Sequence, residues 1–353
     1  MKTSTLALSV WIVAGLFAPF DTRAQSTPAP SPYPVIQGKV YRFEQVAKGV
    51  YYGTGGVGVN PTVIVNDDDV LLVDDGTTPA AARDLLADIK LLTDKPVREV
   101  VNTHFHYDHT DGNSVFGPEV SIIAHEFVRE AILNFDVMHR EPYLSSQANR
   151  VPALVESLER QLAAENNPGR KEAFQKELAA ARTFLEQMRE IEPVPPNVTY
   201  KRKMTLHKGS RDIDLLFLGR GHTAGDTVVY LPKEKIVVTG DLMESQVAYM
   251  GDALFDEWIT TLDALKKIDF TLDLPGHGRP FQDKELITAF QSYLKDVTQK
   301  VAALRKQGFS PEEAARRVDL TAYQKFFPNI PGIGAEPRGV RRIYQWLSEQ
   351  ENR

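Results

Sequence analysis

Six residues, His104-Phe105-His106-Tyr107-Asp108-His109, hold three of the chain's eight histidines and one carboxylate. They follow a β-rich apolar run, Val97–Val101, and precede a turn signal, Asp111-Gly112-Asn113. That order places them on a loop at the end of a buried strand. Imidazole nitrogen and carboxylate oxygen suit a borderline cation such as zinc. His104 and His106 alternate around Phe105 and can converge on one ion. Asp108 and His109 follow at a bend and can face a second. A polar loop that is merely rich in histidine is the bland alternative, and it weakens as other loops supply further ligands of the same kind.

The chain has 353 residues, no Cys and a formal net charge of -6. That length allows one large or two ordinary domains with a sizeable core. No Lys/Arg stripe dominates, which argues against nucleic-acid binding through bulk charge. Without Cys there are no disulfides, thiolate ligands or cysteine nucleophile. The start reads as a secretory signal over residues 1–24: Lys2, an uncharged apolar run at 6–20, then Thr22-Arg23-Ala24 before Gln25. The run is short of the ~20 apolar residues of a membrane span, so no stable span is expected once the signal is cleaved. A signal anchor is the alternative. Residues 25–38 are Pro-rich and read as a linker, and 39–353 as the folded domain. The expected location is outside the cytoplasm, in a bacterial periplasm.

Along the domain, strands at 40–46 and 50–53 lead to a Gly-rich loop, 53–58, that suits the rim of a site. Thr62–Val65 and Val70–Val73 flank the turn Asn66-Asp67-Asp68-Asp69 and end at Asp74-Asp75-Gly76. A helix is expected over 79–92, then strands at 97–101 and 120–124. His125 begins the next helix, a capping position. Residues 136–197 read as a helical insert, with Phe174, Leu178, Ala181, Leu185 and Met188 at helical spacing and a break at Asn166-Asn167-Pro168-Gly169. Such a helix pair fits a cap over a site or a homodimer arm. Strands return at 198–206 and 213–218. A glycine-flanked loop carries His222, a second hairpin ends at Gly240-Asp241, and a strand at 271–274 runs into Pro275-Gly276-His277-Gly278. The two hairpins, TVIVNDDDVLLVDD and TVVYLPKEKIVVTGD, echo each other weakly. Residues 283–353 read as C-terminal helices, one opened by a capping box at Ser310. Substrate walls are sought in 53–58, the insert and 326–334. Tyr143, Phe255, Trp258 and Phe327 are candidate apolar walls that base rates favour as core.

His104, His106, Asp108, His109, His222, Asp241 and His277 all sit at strand ends in loops. The set resembles the metallo-β-lactamase fold superfamily, whose signature is H-x-H-x-D-H followed by a distal His, Asp and His. The flanks agree: Asp74 ending an early strand, Gly-His-Thr-x-Gly-Asp at 221–226, Thr-Gly-Asp-Leu at 239–242 and Pro-Gly-His-Gly at 275–278. The resemblance covers roughly residues 39–278. It implies an α/β fold, a four-layer αββα sandwich with two packed sheets and a site on one edge, here with a helical insert and C-terminal helices. It also implies two Zn2+ ions, with iron or manganese as alternatives. His104, His106 and His222 would hold the first ion, and Asp108, His109 and His277 the second. Asp241 would bridge, and Asp74 would support the histidine loop from behind. Asp108 would be the catalytic carboxylate. Thr223 and Asp226 fit either supports or turn residues. His125, His139 and His207 match nothing in the signature.

The chemistry implied is that of an exported hydrolase using a zinc-bound hydroxide on a small-molecule carbonyl ester, lactone, thioester or lactam. Zinc β-lactamases carry Cys or Ser where this chain has Asp241, which argues against efficient lactam hydrolysis and leaves a dedicated or promiscuous β-lactamase as an alternative. An iron-dependent oxidoreductase like the sulfur dioxygenases is another. An inactive scaffold is disfavoured by the complete ligand set.

Overall fold

A computed structural model describes residues 33–352. The signal segment and the first part of the linker lie outside the described residues. Eight strands form the first sheet in sequence order: β1 Val35–Gln37, β2 Arg42–Ala47, β3 Val50–Thr54, β4 Thr62–Val65, β5 Val70–Val73, β6 Val97–Val101, β7 Ser121–His125 and β8 Val198–Tyr200. Pairing is antiparallel from β1 to β5 and parallel from β5 to β8. The second sheet runs β13-β12-β11-β10-β9, from β9 Lys203–Lys208, β10 Arg211–Leu216, β11 Val228–Leu231, β12 Ile236–Gly240 and β13 Leu272–Pro275. Only β12 and β13 pair in parallel within it.

The period-two alternation of the strands builds the layers. On β5, Leu71 and Val73 face the space between the sheets, where they meet Ile213, Leu215, Val229, Val238 and Leu274. Val70 and Leu72 face the other way and pack with Leu85 and Ile89 of helix α1 (Pro79–Ile89). The outer face of the second sheet is covered by α6 (Phe255–Lys266), α7 (Glu285–Lys306) and α9 (Pro337–Glu351), through Trp258, Phe290, Leu294, Val340 and Ile343. Helix, sheet, sheet and helix make the expected αββα sandwich. Between these lie α2 (Tyr107–Thr110), α3 (Glu126–Asn134), the insert helices α4 (Arg150–Ala164) and α5 (Pro168–Met188), and α8 (Pro311–Arg317). Among the described residues no helix is long and apolar enough to cross a membrane.

Two sequence expectations need correction. The linker does not reach residue 38, because Val35–Gln37 pairs with β2 as an edge strand. The β-branched Val35 and Ile36 suit that role once Pro34 is passed. The strand expected over 198–206 is two strands, since the chain leaves the first sheet after Tyr200 and enters the second at Lys203. Periodicity is blind to which sheet a strand joins, and a crossing between sheets keeps the same apolar pattern on both sides. The turn at Asn167 is as expected: its side chain accepts from the Arg170 amide and Pro168 opens α5. His125 caps α3, accepting from the Phe127 amide.

Candidate metal centre

Parallel strands send their C-terminal ends to one edge of a sheet. Here the ends of β5, β6, β12 and β13 bring Asp74, the histidine loop, Asp241 and His277 together, and the loop between β10 and β11 adds His222. Two groups result. His104, His106, His222 and Asp241 form one, and Asp108, His109 and His277 the other, each with ligand atoms within 4.8 Å of one another. His106 Nδ1 lies 3.0 Å from His104 Nε2 and 3.1 Å from His222 Nε2. Asp241 stands between the groups. Its Oδ2 is 3.6 Å from both His222 Nε2 and His277 Nε2, and its Oδ1 is 3.4 Å from His109 Nε2. His277 Nε2 is 3.1 Å from Asp108 Oδ2.

Backbone geometry makes that density achievable. Asp74 has φ of 59°, the left-handed region that a residue with a side chain occupies at a cost of about 1 kcal/mol or more. The turn aims its carboxylate back at the histidine loop. Oδ1 accepts the Thr103 amide at 2.8 Å and Oδ2 the Thr103 hydroxyl at 2.9 Å, while His109 Nδ1 lies 2.8 Å from Oδ2. Thr103 also accepts at its carbonyl from the Thr227 amide, tying the His222 loop to the His104 loop. Gly276 has no room for a side chain, because a Cβ there would overlap Asp241 Oδ1 and come within 2.9 Å of His109 Cε1. Asp226 accepts the Thr223 amide and hydroxyl and so holds the turn after His222. Burial pushes the Asp226 carboxyl up to about 7, against those hydrogen bonds.

Burial and charge separate the two groups. Burial holds the His222 imidazole down at about 3, with Asp241 opposing, and holds His104 well below the ordinary value as well. These rings are neutral near pH 7, the form that donates a lone pair to a cation. In the other group burial acts on His109 and His277 in the same direction, but carboxylates outweigh it. Asp241 and Asp108 raise His277 to about 10, and Asp241, Asp74 and Asp108 hold His109 well above its usual range. Burial opposes ionisation of Asp108, yet His109 and His277 bring it down to about 2.

The donor set fits a divalent cation. His109 Nε2 and Asp241 Oδ1 are buried, face each other and lack hydrogen-bond partners. Such atoms carry a desolvation cost that an ion would offset. Five imidazoles and two carboxylates, with no thiolate, match a borderline metal. Most of these side chains are at most 6% exposed, whereas Asp108 is 14% and His277 22% exposed, so the open side of the cluster lies over these two. Gly58 of the Gly-rich loop sits against it, its position leaving a Cβ only 3.1 Å from Asp108 Cβ.

The insert reaches the same edge. Gln147 donates to the Tyr107 hydroxyl at 3.1 Å, and the Tyr107 and Tyr143 rings are 5.4 Å apart. Tyr143, Phe255, Trp258 and Phe327 are buried, so the four candidate walls are core residues. Sequence reasoning missed Asp252, whose Oδ2 lies 3.0 Å from His106 Nε2. It also missed Tyr249, whose ring centroid is 5.5 Å from that of His106. Both lie in the long loop between Asp241 and α6, which carries no motif or periodicity that could have marked them.

Known proteins agree with this architecture. The family profile described as the metallo-beta-lactamase superfamily matches residues 54–277. A linear primary-alkylsulfatase from Pseudomonas sp. (strain ATCC 19151) is 22% identical over 303 residues, covering 78% of this chain and 53% of the relative. The 2,4-dinitroanisole O-demethylase subunit alpha from Nocardioides sp. (strain JS1661) is 24% identical over 266 residues, covering 74% of this chain and 65% of the relative. The chain thus spans about half of the first and just under two thirds of the second. A solved metallo-beta-lactamase from Pontibacter korlensis shares the fold with a TM-score of 0.52 at 20% identity, over 72% of this chain and 99% of that one. With its profile matched over more than half its length, the chain belongs to the metallo-β-lactamase superfamily, with the His/Asp metal-binding groups of that superfamily's hydrolases.

Proposed function

We propose that this protein is a binuclear metal-dependent hydrolase acting on a small carbonyl ester, lactone, thioester or lactam. The observation that carries the reading is Asp241, a buried carboxylate set between a three-histidine group and an Asp/His/His group. His104, His106 and His222 would hold one divalent ion and Asp108, His109 and His277 the other, with Asp241 shared. Zinc is the expected metal. Such a pair, when bound, supplies Lewis-acid polarisation and a water that ionises near neutral pH.

The chain's own residues then set orientation and proton handling. Asp108 is a site carboxylate on the open side, beside His277. Its task is to orient the attacking water, take up that water's proton at a carboxylate oxygen and pass it to the leaving group. Asp74 keeps His109 turned inward, and Thr103 locks the loop to Asp74. The Gly-rich loop and residues 137–149 of the insert border the opening and would read the rest of the substrate.

A second reading has its own support. The relatives' names are an alkylsulfatase and an aryl-ether demethylase, so a sulfate ester or activated ether belongs among the substrates tested. A dedicated β-lactamase and an iron-dependent oxidoreductase of the same fold are the remaining alternatives. The deciding experiment combines metal content with hydrolysis of a lactone, a thioester, an alkyl sulfate, an aryl methyl ether and a chromogenic lactam. Turnover of an acyl substrate supports the leading reading. Turnover of the sulfate or ether alone replaces it with the second, and bound iron with oxygen uptake replaces it with an oxidoreductase. Export to a periplasm, supported by the charge and apolar pattern of residues 1–24, and a homodimer arm in α4 and α5 belong to the same proposal.

A further inference from the structure

Behind His106 a chain of charged contacts leads out of the site into the insert. His106 Nε2, the nitrogen turned away from the cluster, lies 3.0 Å from Asp252 Oδ2. The other oxygen, Asp252 Oδ1, accepts from Arg140 Nη2 at 2.6 Å. The Arg140 guanidinium also lies over two rings, 5.5 Å from the centroid of Phe105 and 5.3 Å from that of Phe135. Phe105 is the residue between the first two histidines of the cluster. One arginine of the insert therefore bears on the histidine loop twice: on the His106 ring through Asp252, and on the neighbouring residue through a cation–π contact.

A neutral imidazole carries one N–H, and an ionised carboxylate can only accept. In the neutral ring, donation to Asp252 would put the proton on His106 Nε2 and leave Nδ1 with its lone pair. Nδ1 is the atom that faces His104 and His222 at 3.0 and 3.1 Å. An aspartate held by one contact could rotate about its side-chain torsions. Asp252 is held at both oxygens, by His106 on one and Arg140 on the other. The arginine comes from 112 residues earlier in the chain, within the insert.

We propose that Asp252 and Arg140 are positioning residues for His106, which couple seating of the insert to occupation of the three-histidine metal group. The proposal rests on the reading of that group as a metal site. Coupling of this kind is reciprocal: an insert docked through Arg140 favours the ion, and the ion favours the docked insert.

Two readouts on the full-length protein test it, one without metal. Imidazole 15N NMR of the metal-free protein should show His106 as the Nε2–H tautomer. Asp252→Ala should lose that tautomeric bias. Asp252→Asn, which keeps an accepting oxygen, should retain part of it. Zinc titration against a chromophoric chelator should then show affinity at the three-histidine group reduced about 10- to 100-fold in Asp252→Ala. Asp252→Asn should fall between that variant and the wild type. Arg140→Met leaves Asp252 in place and should shift affinity the same way by less, so it carries the test if Asp252→Ala does not fold. Hydrogen exchange over residues 137–149 should slow when zinc binds the wild type and slow less in Arg140→Met. If the wild type binds no zinc, the metal reading fails and the coupling falls with it, while NMR still decides the tautomer. If the wild type binds zinc and the variants match it in affinity and His106 tautomer, the proposal alone is overturned.

Discussion

Asp74 Oδ2 lies 2.8 Å from His109 Nδ1, and the same carboxylate takes the Thr103 amide and hydroxyl. One side chain thus orients a ligand ring and anchors the loop that carries three others. Asp74→Ala removes both functions. Metal affinity at the Asp108/His109/His277 group should drop about 10- to 100-fold, and the melting temperature of the metal-free protein should fall as well. Chelator competition and thermal unfolding on the same preparation check both effects.

Gly276 gives a steric test. An added methyl would overlap Asp241 Oδ1 and crowd His109 Cε1. Gly276→Ala should therefore displace the shared carboxylate, with a destabilisation of about 1–3 kcal/mol and loss of metal from both groups. Denaturant unfolding and metal analysis of the variant give the two numbers.

Asp108→Asn keeps size and one accepting oxygen but loses the charge that would help hold the second ion and the group that takes up a proton. Turnover should fall about 100- to 10,000-fold. The three-histidine group does not include Asp108, so its metal affinity should be nearly unchanged. Steady-state kinetics alongside metal titration separates the two effects.

Acidity follows from the directions of the shifts. His277, raised to about 10, favours the folded metal-free protein below its ordinary value near ~6.5, and that contribution is lost as pH rises through about 10. Asp108, lowered to about 2, contributes above its ordinary range, and that contribution is lost as pH falls through about 2. Metal must displace the His277 proton, so affinity at that group should climb about tenfold per pH unit for each proton released between pH 6 and 8. Calorimetry in buffers of different ionisation enthalpy counts the protons.

The sandwich and the metal cluster differ in how they were written into the chain. Val70–Val73 is legible because a strand covered on both faces needs an unbroken apolar run, and Val97–Val101 because three β-branched valines flank the charged Arg98-Glu99 pair. The seven candidate ligands are legible because imidazole and carboxylate recur at strand ends, four of them within six residues and His222, Asp241 and His277 beside glycine. Asp252 and Arg140 were invisible because their partnership exists only in three dimensions, between a loop without periodicity and the start of an insert. The crossing between β8 and β9 was hidden for a similar reason, since the apolar pattern does not record a change of sheet.

The most direct test of the account is metal stoichiometry in the wild type and in Asp241→Ala. Zinc-loaded, dialysed protein analysed by elemental mass spectrometry should hold about two ions per chain. Replacing the carboxylate between the groups should leave fewer than about one. A wild type that holds no divalent metal, or an Asp241→Ala protein that keeps both ions, would contradict the shared-carboxylate site.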